Sequence, residues 1–442
     1  MSVLILTAIA LIFIFISKMI FGKWFNHLAL YTAVWYMMLA LYEIKLMSYV
    51  DIKSTAWVAI AGAFLCFFLG SVTVYVARKC LNRPTSDIKP LDGEMLLFAD
   101  GGRMVKYALL FFSITGLAGV LYQWMALIHK FGSVTAVIVQ ANLLYRLRVE
   151  GKLENDLPYV FVAAFSGVFF SGIYSAYKNK VSWLAIIPIV TVILKDISNA
   201  GRAGMLTALL IFVSSFFLYR HVAAEREKKK KRFGIILTGV LVVGLVIGGA
   251  VLVKSSRGTI ESYSASSRQL NKLKKGLLIS PSIYLYFSSH VGVFSEYMER
   301  DYDKPSVIGE FTFRPVFNLL AKFGFVQRPI DYERGYYIPM YTNTSTYLKL
   351  VHRDFGDSGL YVVPYLLGLF ASFYWYRLYE RKGGLDLAIL SFLYVLIMFS
   401  YITMLSKYSF WTLSLVMVLA VLPFMEKWTQ KRVLLNKNIS GK

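Results

Sequence analysis

YTNTSTYLKLVHRDFGDSGL, residues 341–360, joins a polar segment directly to an apolar helix. It closes residues 254–357, the longest stretch that is neither an apolar run of spanning length nor a short connector. On both sides of that stretch lie repeated apolar runs of about 20 residues, a length typical of membrane-spanning helices. The sequence therefore predicts an all-α polytopic membrane protein whose spans hold one large loop at a membrane surface.

The composition favours the same class. Of the 442 residues, 57% are hydrophobic and only 17% are charged, whereas soluble domains carry about 25% charged residues. The net charge is +23, but the lysines and arginines cluster in connectors, where they set membrane orientation and meet anionic headgroups. We expect no nucleic-acid partner, because these basic runs lack aromatic interleaving and any motif that reads bases.

Eleven apolar runs are predicted to span the membrane. They cover residues 3–20, 26–47, 56–76, 105–128, 157–176, 181–195, 203–219, 234–253, 358–377, 385–405 and 408–425. The chain thus divides into spans 1–8 (1–253) with an outer segment at 130–156, the large loop (254–357) with short helices, and spans 9–11 with a tail (358–442).

The basic connectors predict one orientation for this layout. The densest cluster, RHVAAEREKKKKR at 220–232, is expected to stay in the cytoplasm, and the other basic short connectors fall on the same side. With eleven spans, the N-terminus and the loop 254–357 then lie outside, and the C-terminus lies in the cytoplasm.

Two arginines are predicted at the outer membrane surface. Arg202 lies in NAGRAG (199–204), where small neighbours let a ligand approach the backbone and the guanidinium can bind a phosphate bidentately. The helix that begins there would add a favourable dipole toward an anion. Arg257, in KSSRG (254–258), is expected at the same depth, so the two arginines could share one diphosphate. The alternative for each is an interfacial arginine that reaches to lipid headgroups.

Residues 341–360 bring together groups suited to sugar chemistry. Asn343, Thr346 and Tyr347 offer amide and hydroxyl groups that suit sugar hydroxyls. His352 can accept a proton from an attacking hydroxyl near neutral pH if it is held in place, and Asp354 is a second candidate for that role. The alternative is a hydrated loop that simply closes onto a helix.

Further candidates lie elsewhere in the loop. His290 falls in the apolar stretch 276–294, which is expected to pack over the membrane face or to re-enter it partway. It is another candidate base, and the alternative is a satisfied polar residue on a membrane-surface helix. Four arginines are predicted to line a glycan path: Arg314, Arg328, Arg334 and Arg353.

In layout and in two short motifs, the chain resembles Wzy-type O-antigen polymerases, which are related to O-antigen ligases. The shared features are many spans, an arginine–glycine outer turn (here NAGRAG), and a late outer loop that ends in N-x-x-T-Y and then D-F-G-x-x-G. In this chain the motif residues are Asn343, Thr346, Tyr347, Asp354, Phe355, Gly356 and Gly359.

The resemblance implies a GT-C-like glycosyltransferase of the bacterial inner membrane with a periplasmic loop. It would transfer a growing glycan from undecaprenyl diphosphate onto a fresh lipid-linked repeat unit. Arg202 and Arg257 would neutralise the leaving diphosphate, and His352 or Asp354 would assist deprotonation of the acceptor. The implied partners are undecaprenyl-diphosphate-linked glycans, membrane lipids and a chain-length regulator protein, without a cofactor or metal.

Two alternative functions stay open. Ligases of this group carry a His-Asn pair at the loop end, where this chain has Thr342-Asn343 with His352 further on, so an O-antigen ligase is less favoured and the identity of the base is open. A lipid-linked oligosaccharide flippase belongs to a different class. Transporters usually show repeats and broken helices at the bilayer midplane, and the sequence shows neither by inspection.

Overall fold

A computed structural model describes residues 2–83, 95–141, 143–144, 147, 159–199, 201–223, 244, 281–300, 307–329, 334–338 and 341–440. The chain forms two compact units. The first unit comprises Met1–Ile88, Thr259–Tyr376 and Leu396–Tyr408, and the second comprises Lys89–Gly258, Arg377–Val395 and Ser409–Lys442. Apart from residue 244, the predicted span at 234–253 lies outside the described residues, as does the predicted diphosphate ligand Arg257.

Helices dominate the described part of the chain. In chain order they are α1 (Val3–Phe21), α2 (His27–Glu43), α3 (Ser54–Cys80), α4 (Arg103–Phe131), α5 (Val134–Val139), α6 (Ala163–Lys178), α7 (Trp183–Ser198), α8 (Ala203–Val222), α9 (Pro281–Ser288), α10 (His290–Met298), α11 (Arg314–Lys322), α12 (Tyr347–Arg381), α13 (Gly384–Phe399) and α14 (Ser409–Ser440). Short 3-10 turns cover Leu96–Phe98, Val160–Val162 and Leu405–Lys407. A small antiparallel hairpin pairs β1 (Tyr336–Tyr337) with β2 (Tyr341–Thr342).

Within the described residues, seven helices are long and apolar enough to cross a membrane. They are α1, α3, α4, α6 with its preceding turn, α8, α12 and the part of α14 up to Leu434. The predicted class, an all-α polytopic membrane protein, is confirmed at this level. Helices also occupy the predicted spans at α2, α7 and α13, with 17, 16 and 16 residues, at or just below the lower end of the range of about 17–25 residues for a spanning helix. The count of eleven spans and the outer position of the loop stay predictions.

In the first unit, α3 and α12 approach each other at two glycines. A Cβ on Gly70 would collide with the carbonyl of Tyr365, and one on Gly368 would collide with the carbonyl of Phe67. Small residues allow such backbone contact between helices in a membrane, where hydrophobic burial does not drive association. The two helices are therefore held at a close crossing that larger side chains would prevent.

The short helices α9 and α10 pack against the end of α2 and the connector that follows it. The Tyr49 hydroxyl lies 2.7 Å from Ser288 Oγ, and the ring of Tyr49 stacks on that of Tyr42 with centroids 4.3 Å apart. The N–H of Lys53 donates to Ser295 Oγ at 3.0 Å. Part of the predicted loop is thereby built into the helical core of the first unit.

In the second unit, α4, α6 and α8 pack through small residues as well. A Cβ on Gly116 of α4 would collide with the backbone of Ala164 in α6. On another face of α6, a Cβ on Gly172 would collide with Ser215 Oγ in α8. These contacts join α4, α6 and α8 in the unit that also contains the NAGRAG turn, between α7 and α8.

Candidate functional site

The motif-bearing residues 341–360 fold into the first turns of α12 and the approach to it. The helix begins at Tyr347, inside the predicted loop, and the Tyr347 N–H donates to the carbonyl of Ser400 at 2.9 Å. At Gly356 the backbone leaves helical geometry, with φ 63° and ψ −158°, a conformation that is nearly restricted to glycine. The break separates residues 347–355, which carry His352, from the long apolar part of α12. We call residues 347–355 the polar turn.

His352 is buried, and both of its ring nitrogens have hydrogen-bond partners. Nδ1 lies 2.9 Å from the Tyr297 hydroxyl and Nε2 lies 3.0 Å from Asp357 Oδ1. The His352 side chain is 5% exposed, whereas that of Asp357 is 84% exposed. A neutral ring with its proton on Nε2 would donate to Asp357 and accept from Tyr297. We call this arrangement the Tyr297–His352–Asp357 chain, since it links a buried hydroxyl to an exposed carboxylate.

A buried lysine adjoins this chain. Lys349 is 2% exposed, and its Nζ donates to the carbonyl of Arg334 at 2.8 Å. The same Nζ lies 5.8 Å from the ring centroid of Tyr297 and 5.5 Å from that of Tyr336. Lys349 precedes His352 by three residues, so both lie on one face of α12. The turn therefore places a positive charge beside the Tyr297 ring.

Charged residues lie on both sides of Tyr297 in the sequence: Glu296 within α10 and Arg300 just after its end. Arg300 Nη2 lies 3.1 Å from Glu296 Oε2, one turn apart, and Lys53 Nζ lies 3.6 Å from Glu296 Oε1. Partly exposed ion pairs of this kind contribute little stability individually. The Lys53–Glu296 pair adds a contact between α10 and the residue before α3.

Asp354 binds backbone amides. Its Oδ1 accepts the N–H of Phe311 at 3.1 Å and its Oδ2 accepts that of Thr312 at 2.6 Å, and Asp354 is 4% exposed. The guanidinium of the adjacent Arg353 lies 3.7 Å from the ring centroid of Phe311. A buried carboxylate that accepts two backbone N–H groups is typical of a residue that fixes a turn. Its role as a base, and that of Arg353 toward a glycan, stay predictions.

Both ring nitrogens of His290 face backbone carbonyls. It is 1% exposed, with Nε2 2.6 Å from the carbonyl of Tyr286 and Nδ1 3.3 Å from that of Thr344. Burial lowers the pKa of His290 to about 4, so its ring is neutral at pH 7. A neutral ring carries a single N–H, so it donates to one of the two carbonyls, and the Tyr286 carbonyl is the nearer. This position is typical of the alternative given for the sequence, a buried histidine with a structural role.

The predicted glycan ligands lie in different surroundings. Tyr347 is fully buried, and its hydroxyl lies 3.0 Å from that of Tyr31 in the helical core, a position typical of a structural tyrosine. Of the other predicted glycan ligands, Arg314 is half-buried and three are exposed: Asn343, Arg328 and Arg334. Their contact with a glycan stays a prediction.

In the second unit, the NAGRAG turn is built around Asp196. This residue is 1% exposed; its Oδ2 accepts the N–H of Met205 at 2.7 Å, and its carbonyl accepts that of Gly201 at 2.9 Å. A Cβ on Gly204 would collide with the Asp196 carboxylate, so glycine is needed for this close approach. Asp196 thus takes the place at the N-terminus of α8 that the sequence analysis gives to a ligand anion.

Asp196 also pairs with a buried lysine. Lys195 Nζ lies 2.8 Å from Asp196 Oδ1, and the two side chains are 7% and 2% exposed. Three phenylalanine rings surround the ammonium at 5.1–5.8 Å from their centroids: Phe161, Phe165 and Phe410. Removing one partner of such a buried ion pair leaves an uncompensated buried charge, which lowers the stability of the fold.

The turn and the end of α7 are also connected to α4. Gln123 Nε2 donates to Asn199 Oδ1 at 2.8 Å, and Trp124 Nε1 donates to the carbonyl of Leu194 at 3.1 Å. Arg202 is half-buried and occupies the position directly before the first residue of α8. Because Arg257 lies outside the described residues, the predicted pairing of these two arginines stays a prediction.

No protein family, curated protein or solved structure matches this chain. The functional conclusion therefore depends on the chemistry of the residues themselves. Within the described ranges, no three His, Cys, Asp or Glu side chains lie together as a metal site would require.

Several residues around His352 and around the NAGRAG turn were not predicted from the sequence. Beside His352 they are Tyr297, Lys349 and Asp357. Beside the turn they are Lys195 and Asp196. The spacing of Lys349 and His352 was a usable signal, since residues three apart share a helix face. The adjacent Lys195 and Asp196, at the end of an apolar run, were a second signal. Tyr297 gave no local signal, because it lies 55 positions from His352 along the chain.

Proposed function

We propose that the protein is a bacterial inner-membrane glycosyltransferase that polymerises undecaprenyl-diphosphate-linked repeat units on the periplasmic face. The product would be O-antigen or a related surface polysaccharide. The observation that carries this proposal is the Tyr297–His352–Asp357 chain, an acid–base arrangement with an exposed carboxylate. His352 and Asp357 lie in the segment whose motifs resemble those of the polymerases.

Asp357, rather than His352, is the group that meets the acceptor. Both ring nitrogens of His352 face protein partners, whereas Asp357 is exposed and its Oδ2 can accept a hydrogen bond from a sugar hydroxyl. The Nε2–H of His352 then holds Oδ1 and orients the carboxylate. A base must lie within hydrogen-bond reach of the proton that it removes, and in this chain the exposed carboxylate meets that condition best.

The proposed reaction is a displacement at the anomeric carbon of the donor glycan. The acceptor hydroxyl oxygen forms the new glycosidic bond while the bond from that carbon to the diphosphate oxygen breaks. The hydroxyl proton passes to the Asp357 carboxylate, and undecaprenyl diphosphate leaves with the electron pair of the broken bond. A carboxylate is suited to this step because the sugar develops oxocarbenium character as the leaving group departs.

The leaving diphosphate gains negative charge during this step. Cations at its oxygens lower the barrier, and electrostatic help of this kind is usually the largest contribution to catalysis. Arg202 is proposed for this role because it is half-buried, adjoins glycine on one side, and is held by the Asp196 turn. Its planar guanidinium can bind two phosphate oxygens at once.

Reconstitution tests the proposal. Purified protein in proteoliposomes is mixed with undecaprenyl-diphosphate-linked repeat units, without nucleotide sugar, and the lipid-linked products are resolved by gel electrophoresis and mass spectrometry. We expect a ladder that extends by whole repeat units, in the presence of chelator as well as in its absence. A folded sample that moves the substrate across the bilayer without lengthening it would contradict the proposal and favour a flippase.

A further inference from the structure

The helix α11 exposes the apolar side of an amphipathic pattern. Val316 and Leu319 of α11 and Phe323, the residue directly after it, occur at positions i, i+3 and i+7 and therefore share one face. Their exposed fractions are 48%, 55% and 68%. In a helix at a water-exposed surface, residues with this spacing pack inward.

The opposite side of the helix is turned toward the protein. Arg314 and Asn318, four residues apart, are half-buried and lie across the helix from the apolar face. The usual arrangement of an amphipathic surface helix is thus reversed. A reversal of this kind indicates that the medium outside α11 is less polar than water.

The apolar surface continues beyond the helix on both sides. We call it the apolar ridge and define it by six exposed residues: Ile308, Phe313, Val316, Leu319, Phe323 and Phe325. Single exposed apolar residues are ordinary, but a contiguous group marks an interaction surface. The exposed cations Lys322 and Arg328 lie within and just after this segment, and such charges are attracted to anionic headgroups.

We propose that residues 307–325 lie in the interfacial region of the lipid bilayer, with the apolar ridge against the acyl chains. A helix of nine residues is too short to cross a bilayer, which takes about 20, so α11 lies along the surface. Amphipathic helices in this position bury their apolar face at the boundary between headgroups and acyl chains. The partner of the ridge is therefore lipid.

This segment is tied to the turn of α12 that carries His352. Asp354 accepts the N–H groups of Phe311 and Thr312, and Ser406 Oγ donates to the carbonyl of Thr312 at 2.7 Å. Lipid contact would thus hold the polar turn near headgroup depth, where a lipid-linked diphosphate presents its anion. That last consequence depends on the proposed function, whereas the lipid contact itself does not.

Spin labelling of the full chain in proteoliposomes tests the lipid contact without an activity measurement. In a Cys66→Ala/Cys80→Ala background, single cysteines are introduced as Leu319→Cys and Phe323→Cys and labelled. We expect a larger collision rate with dissolved oxygen, which concentrates in the acyl region, than with a water-soluble nickel chelate. Leu65→Cys, at an exposed apolar residue of the spanning helix α3, serves as the lipid reference.

Two outcomes would overturn the proposal. One is a greater collision rate with the nickel chelate at both ridge positions, as expected for Asp51→Cys, whose parent side chain is 87% exposed. The other is dipolar broadening between labels on two molecules, which would show that a second copy covers the ridge. Agreement of Ile308→Cys, before the helix, with Leu319→Cys and Phe323→Cys guards against a local distortion by one label.

Discussion

Asp357 terminates the Tyr297–His352–Asp357 chain at the surface, and its proposed role follows from that position. Both ring nitrogens of His352 already have protein partners. The ring is therefore better placed to orient Asp357 than to accept a proton from a substrate. The arrangement resembles other acid–base sites in which one side chain orients the group that transfers the proton. It also explains how a buried histidine can influence a reaction at the surface.

The substitution Asp357→Asn tests this role. The amide oxygen can still accept from His352, but the negative charge that takes the proton is lost. Because general-base catalysis contributes about 10²–10⁴-fold, we expect the rate of chain extension to fall by about that factor.

The matched control is Asp51→Asn. Asp51 is also an exposed carboxylate of the first unit, 87% exposed and paired with Lys45. We expect this variant to retain wild-type extension. Equal extension rates for the two variants would show that Asp357 takes no part in the reaction.

Protonation of His290 should make the first unit sensitive to acid. Its pKa in the fold is about 4, below the ~6.5 of an unfolded chain, so the unfolded state binds more protons between these values. Stability is then fully present above pH 6.5 and falls as the pH drops toward 4. The shift corresponds to an upper limit of about 3 kcal/mol.

Thermal unfolding at pH 7.5 and pH 5 measures this effect. The loss of Tm on acidification should be smaller in His290→Gln than in the wild type. His129→Gln, at an exposed histidine near the end of α4, should lose as much as the wild type. An unchanged loss in His290→Gln would assign the acid sensitivity to other groups.

Asp196 combines a helix cap with a buried charge partner, and these contributions can be separated. Asp196→Ala leaves Lys195 buried beside three phenylalanines without its carboxylate. Breaking a buried pair on one side costs about 3–5 kcal/mol, and we expect a loss of that size in unfolding experiments in detergent.

Asp100→Ala is the control for the cap alone. Asp100 accepts the N–H groups of Gly102, Arg103 and Met104 at 3.0–3.1 Å, before and at the start of α4 in the same unit. Losing such a cap costs about 1 kcal/mol. If both variants lose the same stability, the Lys195–Asp196 pair contributes nothing beyond the cap.

At the scale of elements, the break in α12 at Gly356 separates the polar turn from the spanning helix. A Cβ at this position would meet no atom within 4 Å, so the requirement for glycine comes from the backbone alone. A residue with a side chain in this conformation costs about 1–3 kcal/mol. Gly356→Ala should therefore lower the free energy of unfolding by that amount.

Gly201→Ala provides the comparison for Gly356→Ala. Gly201 lies outside the left-handed region, and the nearest atom to its Cβ would be 4.0 Å away. We expect a change near zero, measured under the same unfolding conditions. A similar loss in both variants would show that the strain at Gly356 is not the cause.

Local sequence pattern predicted the helical elements but not their polar contacts. Apolar runs located helices throughout the described chain, since a bilayer forces backbone polar groups to pair within each segment. The start of α12 was missed because residues 347–357 mix polar and apolar residues. Their burial depends on contacts with residues distant in the sequence, such as Tyr31, Tyr297 and Phe311. The same limit applies to Asp354 and His290: their partners are backbone groups, which no residue pattern reveals.

At the scale of the whole molecule, the sequence predicted a polytopic membrane protein, and seven spanning helices in the described ranges agree with it. Orientation rests on the basic connectors, and the bacterial inner membrane rests on the polymerase resemblance. Both stay predictions. The apolar ridge adds a surface segment to the spans, so we expect the first unit to contact lipid by two different modes.

Chain extension by purified protein tests the central claim most directly, with wild type, Arg202→Ala and Arg103→Ala compared in the same proteoliposomes. Arg103 is an exposed arginine at the start of α4, so it controls for the loss of a positive charge near a helix N-terminus. We expect ladders from wild type and Arg103→Ala, and no long chains from Arg202→Ala. Wild-type protein that leaves lipid-linked repeat units unextended, or an unaltered ladder from Arg202→Ala, would contradict the proposed function.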